Sequence, residues 1–319
     1  LIPYVTSYYK KHWGFCLKYN QYQVLKEGTY EVKIVSSLKP GSLTYGELVI
    51  EGQSGKEILL STYICHPSMA NNELSGPIVT AYLANYLLSK KQTLNYTYRI
   101  IFVPETIGAI TYLSLHKDHL KKNVIAGYVV TCTGLEGPFS YIQTRAENTL
   151  VDRVTIHVLK HSKKETRLYD FLSRGSDERQ YNSPGIDLPV GSLMRVIYGG
   201  YPEYHTSGDN LELVTAHALE ESLETYKLCL EVIEKNHTYV TTVFGEPMLS
   251  KYGFYHTVST LEAGRNAKEA DMRNILAYCD GSHDLLWIAD KINRPVWKLF
   301  GLVDNLVESA LIKNAEGIR

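Results

Sequence analysis

The stretch EILLSTYICHPSMANNELSGPIVTAYLANYLLSKK, residues 57–91, contains the pattern from which the rest of the fold is inferred. Its first part, 57–65, is a continuous apolar run, which is typical of a strand buried on both faces. Its last part, 75–91, has the apolar spacing of a helix. Between the two lies a polar turn that places His66 directly after the strand. A strand, a polar turn and a helix in this order predict the first unit of a parallel sheet.

The same alternation continues along the chain. Strands are predicted at 96–105, 124–132 and 184–195, and helices at 108–122 and roughly 212–235. We therefore expect an α/β fold in which a mostly parallel sheet is sandwiched by helices. Ligands of such sheets bind where the strands end at their carboxyl edges.

The segments on either side of this alternation have a different character. Residues 1–55 contain two β-type runs, YEVKIVSS and LTYGELVIEG, and are interpreted as a small β-rich inserted section leading into the sheet. Residues 56–240 form the α/β domain. Residues 250–319 contain about three short helices with tight breaks and resemble a winged helix-turn-helix domain.

Composition excludes several classes of function. The net charge of −1 gives no overall attraction to nucleic acid or to an anionic membrane. No run approaches the roughly 20 apolar residues that cross a bilayer, so no membrane partner is expected. The five cysteines are odd in number and form no CxxC pair, which predicts reduced thiols in a cytoplasm. The chain begins with Leu1, so an N-terminal segment is expected to precede it.

Polar residues that could bind a metal or take part in catalysis lie at the predicted strand ends. His66 follows the first strand, Glu105 follows the second, Cys132 ends the third, and His205 lies in the loop 201–210. One histidine at a strand end is more often structural than a ligand. Two histidines and a glutamate at one sheet edge predict a metal site or an acid/base site.

Four motifs recur in the order found in a known family. They are CHPSMANNELSG, FVPETIGAITYLS, GSDERQYNSPGIDLP and YPEYHTSGDN, and together they span about residues 45–235. In this order they resemble the loops of the co-catalytic zinc aminopeptidases. The whole chain resembles most closely a bacterial group that joins this domain to a small β-rich insertion and a C-terminal winged helix.

The resemblance implies roles for several residues. It makes His66 and His205 the two imidazole ligands of zinc and Glu105 the general base. It also places Asn72 where the family has a bridging aspartate. Weaker candidates for a further metal ligand are Asp177 and Cys132, although Cys132 is more readily interpreted as a buried core thiol.

Three anionic positions of the family are neutral here. Thr106 stands in place of a glutamate ligand, a neutral segment at Thr131 to Thr133 in place of an aspartate ligand, and Ser68 in place of an orienting aspartate. Two zinc ions carry four positive charges and need several carboxylates. We therefore expect one zinc ion rather than two.

Three further residues are predicted to lie close to the reacting groups. Arg179 could fork onto a substrate carboxylate, Tyr204 could stabilise an oxyanion, and Asp209 could orient the last loop. A solvated surface is an equal alternative for the charged run that contains Arg179.

These observations predict a metal-dependent aminopeptidase-like hydrolase of small peptides or of N-acyl and aminoacyl compounds. One alternative is a non-catalytic sensor that binds an amino compound and signals through its winged helix. Another is amide chemistry on a surface-polysaccharide precursor. Residues 251–319 hold nine basic and nine acidic residues, so the winged helix is expected to contact protein or form a homodimer rather than bind DNA.

Overall fold

The computed structural model describes residues 1–5, 10, 12–37, 39–254 and 267–315. The chain divides into two compact units. The first unit comprises Leu1–Asp152 and Lys164–Tyr226, and the second comprises Arg153–Lys163 and Lys227–Arg319.

A seven-stranded sheet forms the centre of the first unit. Its strands are β1 (Gly46–Ile50), β2 (Glu57–Tyr63), β3 (Thr97–Val103), β4 (Val124–Val130), β5 (Phe139–Ile142), β6 (Thr166–Tyr169) and β7 (Val190–Met194). They lie in the order β1-β3-β2-β4-β7-β5-β6. The central strands β3, β2, β4 and β7 are parallel, whereas β1 pairs with β3, and β5 with β7, in the antiparallel sense.

Six helices precede, connect or follow these strands among the described residues. They are α1 (Tyr19–Gln23), α2 (Ser75–Ser89), α3 (Ile107–Asn123), α4 (Leu150–His161), α5 (Glu178–Tyr181) and α6 (Ala216–Lys235), with a π-helical turn at Ala70–Leu74 ahead of α2. The units β2-α2-β3 and β3-α3-β4 are the helical crossovers that parallel strands require. The predicted fold class, a mostly parallel sheet with helices, is confirmed.

The central strands are buried because they are apolar on both faces. All seven residues of β2 are buried, and Leu59 and Tyr63 pack with Ile101 of β3, Val129 of β4 and Tyr112 of α3 in one core. Strands of this kind have helices on both sides, which is why their sequence shows no apolar–polar alternation.

The N-terminal residues differ from the prediction in one respect. LTYGELVIEG contains β1, but YEVKIVSS forms no strand in the described residues. Residues 30–37 are exposed, and a segment of β-type composition becomes a strand only if a neighbouring backbone pairs with it. The described residues before β1 contain α1 and an isolated bridge at Pro3.

The second unit is a small helical domain with a three-stranded sheet. Its elements are β8 (Thr238–Thr241), α7 (Ala267–Tyr278), β9 (Asp280–Asp284), α8 (Leu285–Lys291), α9 (Phe300–Glu308) and β10 (Ile312–Asn314). β8 lies between β10 and β9 and is antiparallel to both. Asp284 caps α8 by accepting a hydrogen bond from the Trp287 backbone amide at 2.8 Å.

A buried histidine joins the α4 portion of the second unit to the region between α8 and α9. The His157 Nδ1 atom lies 2.6 Å from Asp290 Oδ1, and Nε2 accepts a hydrogen bond from the Val296 backbone amide at 2.9 Å. One ring nitrogen donates a hydrogen bond and the other accepts one, so both nitrogens stabilise the packing of this unit.

No helix within the described ranges is long and apolar enough to cross a membrane.

Candidate metal and catalytic site

The parallel strands of the first unit end at one edge of the sheet, and the predicted site residues follow them there. His66 comes three residues after β2, Glu105 two residues after β3, and Cys132 two residues after β4. Parallel neighbours bring these ends side by side, so residues distant in sequence meet.

The two predicted imidazole ligands lie together. The rings of His66 and His205 have their centroids 5.0 Å apart and their planes at 78°. Tyr204 stacks on His205 at 4.0 Å. Burial lowers the pKa of His205 and the neighbouring His66 lowers it further, which favours the neutral imidazole that binds metals.

The first residues of the chain hold the loop that carries His205. The Tyr4 backbone amide donates to the His205 carbonyl at 2.8 Å, and the Ser207 amide donates to the Ile2 carbonyl at 2.8 Å. The ring of Tyr4 then lies edge-on to His66 at 4.5 Å and to His205 at 5.3 Å. We call residues 1–5 the N-terminal segment.

Glu105 lies beside His66. The ligand atoms of Cys65, His66 and Glu105 are all within 4.8 Å of one another. The Ser176 hydroxyl donates to Glu105 Oε1 at 2.6 Å and so fixes the orientation of the carboxylate.

Asp177 supports the turn after Glu105. Its Oδ1 atom accepts the Thr106 backbone amide at 2.7 Å, and Arg179 donates to the Thr106 hydroxyl at 2.8 Å. Thr106 has a φ of 62°, which is strained for a β-branched residue, and these contacts hold it there. The side chain of Arg179 therefore contacts Thr106.

The side chain of Asp177 is fully buried. Burial raises the pKa of Asp177 to about 8, the Thr106 amide opposes this rise, and nearby Glu105 adds to it. Its Oδ2 atom has no hydrogen-bond partner among the described residues.

Glu73 is a second buried carboxylate at the site. It accepts a hydrogen bond from the Cys65 backbone amide, and its Oε2 atom has no partner in the described part of the chain. Burial raises the pKa of Glu73 to about 8, against the pull of the His66 backbone amide, and the charges of Glu105 and Asp177 raise it further. Glu73 and Asp177 are therefore two buried carboxyl groups that are mostly protonated at neutral pH unless a cation lies beside them.

Asn72 and Cys132 contact each other. The Asn72 Oδ1 atom lies 3.6 Å from Cys132 Sγ and 3.5 Å from the Tyr63 hydroxyl. Burial raises the pKa of Cys132 to about 12, so this group is a thiol at neutral pH. In this arrangement both side chains are occupied with each other.

Asp209 fixes the π-helical turn that carries Asn72. Its carboxylate accepts the backbone amides of Ala70, Asn71 and Asn72 at 3.1, 2.6 and 3.0 Å, and the Tyr201 hydroxyl at 3.0 Å. A buried carboxylate at the start of a helical turn satisfies donors that have no partner within the helix.

The donors at this edge fit a divalent transition metal. Imidazole nitrogen, thiolate sulfur and carboxylate oxygen are the atoms that bind zinc. Glu73 and Asp177 each have one buried oxygen without a partner among the described residues, and ionisation of either group would need a cation nearby, since burying an uncompensated charge is costly.

Sequence reasoning did not single out four residues of this edge, namely Tyr4, Cys65, Glu73 and Ser176. Cys65 directly precedes His66 and Ser176 precedes Asp177, so adjacency to candidate residues is a usable signal for both. No sequence signal identifies Tyr4, because its place depends on a contact with a loop 200 residues away in the chain.

The fold is that of an aminopeptidase-like α/β domain followed by a winged helix. An aminopeptidase from Aneurinibacillus sp. strain AM-1 has the same fold, with a TM-score of 0.50 and 15% identity over 59% of this chain and 47% of that one. Such a low identity shows the fold alone.

Within that class the chain belongs to the family described as "Domain of unknown function (DUF4910)", whose model matches residues 17–236. A winged helix-turn-helix model matches residues 237–314. A relative from Clostridium acetobutylicum is 44% identical over 98% of this chain and 71% of its own length. That relative carries the provisional name of a polysaccharide biosynthesis protein with an aminopeptidase-like domain.

A crystal structure from the same species, of a protein provisionally named a peptidase, is also similar. It superimposes with a TM-score of 0.90 and 43% identity over 98% of this chain and 70% of that one.

Proposed function

We propose that this protein is a metal-dependent hydrolase that cleaves amide bonds of small peptides or of aminoacyl and N-acyl compounds with one zinc ion. The observation that supports the proposal most strongly is the meeting of Cys65, His66 and Glu105 within 4.8 Å, with the His205 ring beside them. The buried carboxyl groups of Glu73 and Asp177 lie nearby and could ionise beside a bound cation.

His66 and His205 are the residues we assign to hold the ion, with Cys65, Asp177 or Asn72 as candidates for a third donor. When bound, zinc polarises a carbonyl group and lowers the pKa of a water molecule towards about 7.

Glu105 is the general base in this proposal. Its Oε1 atom is held by Ser176, which leaves Oε2 to accept a proton from the attacking water. The water oxygen then bonds to the amide carbon, the carbon–nitrogen bond breaks, and Glu105 returns the proton to the leaving nitrogen.

Tyr204 is the candidate donor to the oxyanion that develops on the carbonyl oxygen. Burial raises the pKa of Tyr204, so its hydroxyl keeps its proton at neutral pH. A neutral phenol held in a buried site can donate a hydrogen bond where negative charge forms.

Glu105→Gln tests this assignment. Because glutamine keeps the size of the side chain but cannot take up a proton, we expect zinc to stay near one per chain while hydrolysis of alanine amide falls at least 100-fold. Elemental analysis measures the zinc and an amine assay measures the turnover.

The matched control is Glu220→Gln on the exposed side of α6, which should leave both values unchanged. If Glu105→Gln hydrolysed alanine amide as fast as the wild type, Glu105 would not be the general base. If the wild-type protein held no zinc after incubation with zinc and removal of the excess, the metal-dependent function would be overturned.

The name of the clostridial relative favours a second candidate, amide chemistry on a precursor of a surface polysaccharide. For the winged helix we propose a protein contact or a homodimer, and for the compartment a reducing cytoplasm, since all five cysteines are free.

A further inference from the structure

The start of α9 is covered by another part of the second unit. In DNA-binding helix-turn-helix domains, the start of the second helix is the part that enters the major groove. Here the residues just ahead of α9 contact residues 153–163, at the end of α4. Val296 is fully buried, and the Trp297 ring lies edge-on to His157 at 5.9 Å and to His161 at 6.4 Å. The end of α4 therefore occupies the surface through which such a domain usually contacts its partner.

Two histidines one helical turn apart on α4 make this contact. The side chain of His157 is fully buried, its Nδ1 atom donates to Asp290 at 2.6 Å, and its Nε2 atom accepts the Val296 amide at 2.9 Å. The His161 ring packs on the His157 ring with 4.4 Å between centroids, and its Nε2 atom is buried without a partner among the described residues. Both rings are thus packed as neutral imidazoles.

His157, His161 and Asp290 also lie close enough together to hold a metal ion, with ligand atoms within 4.8 Å of one another. The hydrogen bonds do not fit that use. Because Nε2 of His157 accepts the Val296 amide, the ring proton is on Nδ1, and neither nitrogen offers a free lone pair to a cation. The cluster is arranged around a proton rather than a metal.

A second proton does not fit on either ring. On His157 it would set an N–H against the N–H of Val296, and a protonated His161 would carry an N–H on the buried Nε2 atom, which has no acceptor among the described residues. Burial lowers the pKa of His161, the charges of His157 and Lys160 lower it further, and the charge of Asp290 opposes this. The closed contact therefore favours the neutral histidines.

One further ion pair joins α4 to α8. Arg153 donates two hydrogen bonds to Asp284, at 2.6 and 2.9 Å. Burial alone would raise the pKa of Asp284, but hydrogen bonds from Arg153, Asn236 and the Trp287 amide bring it below its usual value of 3.8. This pair keeps its charges between about pH 5 and pH 8, so it contributes no response to pH in that range.

We propose that residues 153–163 and 290–297 form a latch that covers the start of α9 at neutral pH and opens in mild acid. Proton uptake by His157 and His161 releases Val296 and Trp297, so that the surface they form becomes accessible to a partner. Because folding lowers the pKa of His161, its stabilisation of the closed latch is complete above its usual value of 6.5 and is lost progressively as the pH falls below that value. The latch does not depend on the proposed hydrolase.

Hydrogen exchange of the full chain at pH 7.5 and pH 5.5 tests the latch. The Val296 amide is bonded to His157, so we expect its protection factor, corrected for the intrinsic pH dependence of exchange, to fall about fivefold or more at pH 5.5. Peptides from β2 and β3 should keep their protection, because folding lowers the pKa of Glu57 in their ion network below 4.5.

The double variant His157→Gln/His161→Phe keeps a donor, an acceptor and a ring at these positions but cannot take up a proton. Its protection factor at Val296 should differ by less than about twofold between the two pH values. His217→Gln is the matched control, because His217 is an exposed histidine that pairs with Glu136 outside the latch. It should respond to acid as the wild type does.

Three results would overturn the latch: equal protection of the Val296 amide at both pH values in the wild type, a full acid response in the double variant, or an equal loss of protection in β2 and β3. Proton NMR of His161 in the wild type gives a test that needs no variant. We expect its ring protons to titrate with a midpoint below 6.5, and a midpoint at or above 6.5 would contradict the latch.

Discussion

At the scale of single residues, the candidate site contains one more carboxyl group than its motifs suggest. Thr106 and Asn72 are neutral where the zinc aminopeptidases carry carboxylates. Glu73, one residue after Asn72, is buried beside Cys65 with one oxygen unpartnered among the described residues. Glu73 therefore supplies a carboxyl group to this site, one position after Asn72.

Glu73→Gln is therefore expected to weaken zinc binding. Glutamine can still accept the hydrogen bond from the Cys65 amide, so the loop is kept while a buried group that could ionise beside the cation is lost. Groups that support metal ligands typically contribute about 10- to 100-fold to metal affinity, and we expect a loss in that range. Competition with a chromophoric chelator measures the dissociation constant.

The exposed Glu212 provides the control, and Glu212→Gln should bind zinc as the wild type does. If Glu73→Gln bound zinc with unchanged affinity, Glu73 would have only a structural part in the site.

Sequence reasoning identified residues that the structure brings together at one sheet edge, but not all of their contacts. His66, Glu105 and His205 were identifiable because each follows an apolar strand or lies in a recognisable motif. Glu73 was not, since the π-helical turn Ala70–Leu74 changes which side chains face the site, and residue spacing does not reveal such a turn. Whether these residues bind metal stays a prediction.

At the scale of secondary structure elements, the long buried strands were predictable and the short peripheral ones were not. β2, β3 and β4 are continuous apolar runs, so their sequence marks them. The four-residue strands β5 and β6 carry no comparable pattern, and their position depends on pairing with β7 and with each other. Tertiary contacts decide such elements.

An ion network ties β1, β2 and β3 together. Arg99 on β3 donates to Glu57 at 2.7 Å and to Glu47 at 2.5 Å. Burial alone would raise the pKa of Glu57, but hydrogen bonds from Arg99 and His119 and their charges bring it below 4.5. A buried charged group of this kind is stabilising only while its partners remain in place.

Acid is predicted to loosen these strands. Because the pKa of Glu57 and of Glu47 is lowered by folding, their stabilisation is present above pH 4.5 and is lost as the pH falls through their folded pKa values. Arg99→Met should cost about 3 kcal/mol at pH 7, because it removes the guanidinium that Glu47 and Glu57 share. Hydrogen exchange of peptides from β2 and β3 measures both effects.

Arg145→Met is the comparison for this change. Arg145 pairs with Asp187, and each of these side chains is about half exposed, so removing the pair should cost less than about 1 kcal/mol. Equal costs for the two variants would show that burial of the Arg99 network adds nothing.

At the scale of the whole molecule, we expect the winged helix to contact protein rather than DNA. The net charge is −1, and α9 carries Asp304 and Glu308 but no lysine or arginine. DNA-binding modules place basic side chains along the phosphates, and non-specific complexes typically have dissociation constants of about 10⁻⁴ to 10⁻⁶ M.

Filter binding of a random DNA duplex at 50 mM salt tests this expectation with the full chain. We expect the filter to retain no DNA at micromolar protein, because α9 carries no lysine or arginine to neutralise the phosphates. Retention that weakens steeply with salt would reverse this view and support a sensor that acts through DNA.

The hydrogen bond between Ile2 and Ser207 joins residues 205 positions apart in the chain. Closing so long a loop is slow relative to forming local turns, so we expect the contact of Tyr4 with the imidazoles to form late in folding. Zinc, if it binds only the completed form, would raise the free energy of unfolding by about 2.7 kcal/mol at 100 times its dissociation constant. Metal supply would then determine how long the finished molecule survives proteolysis in the cell.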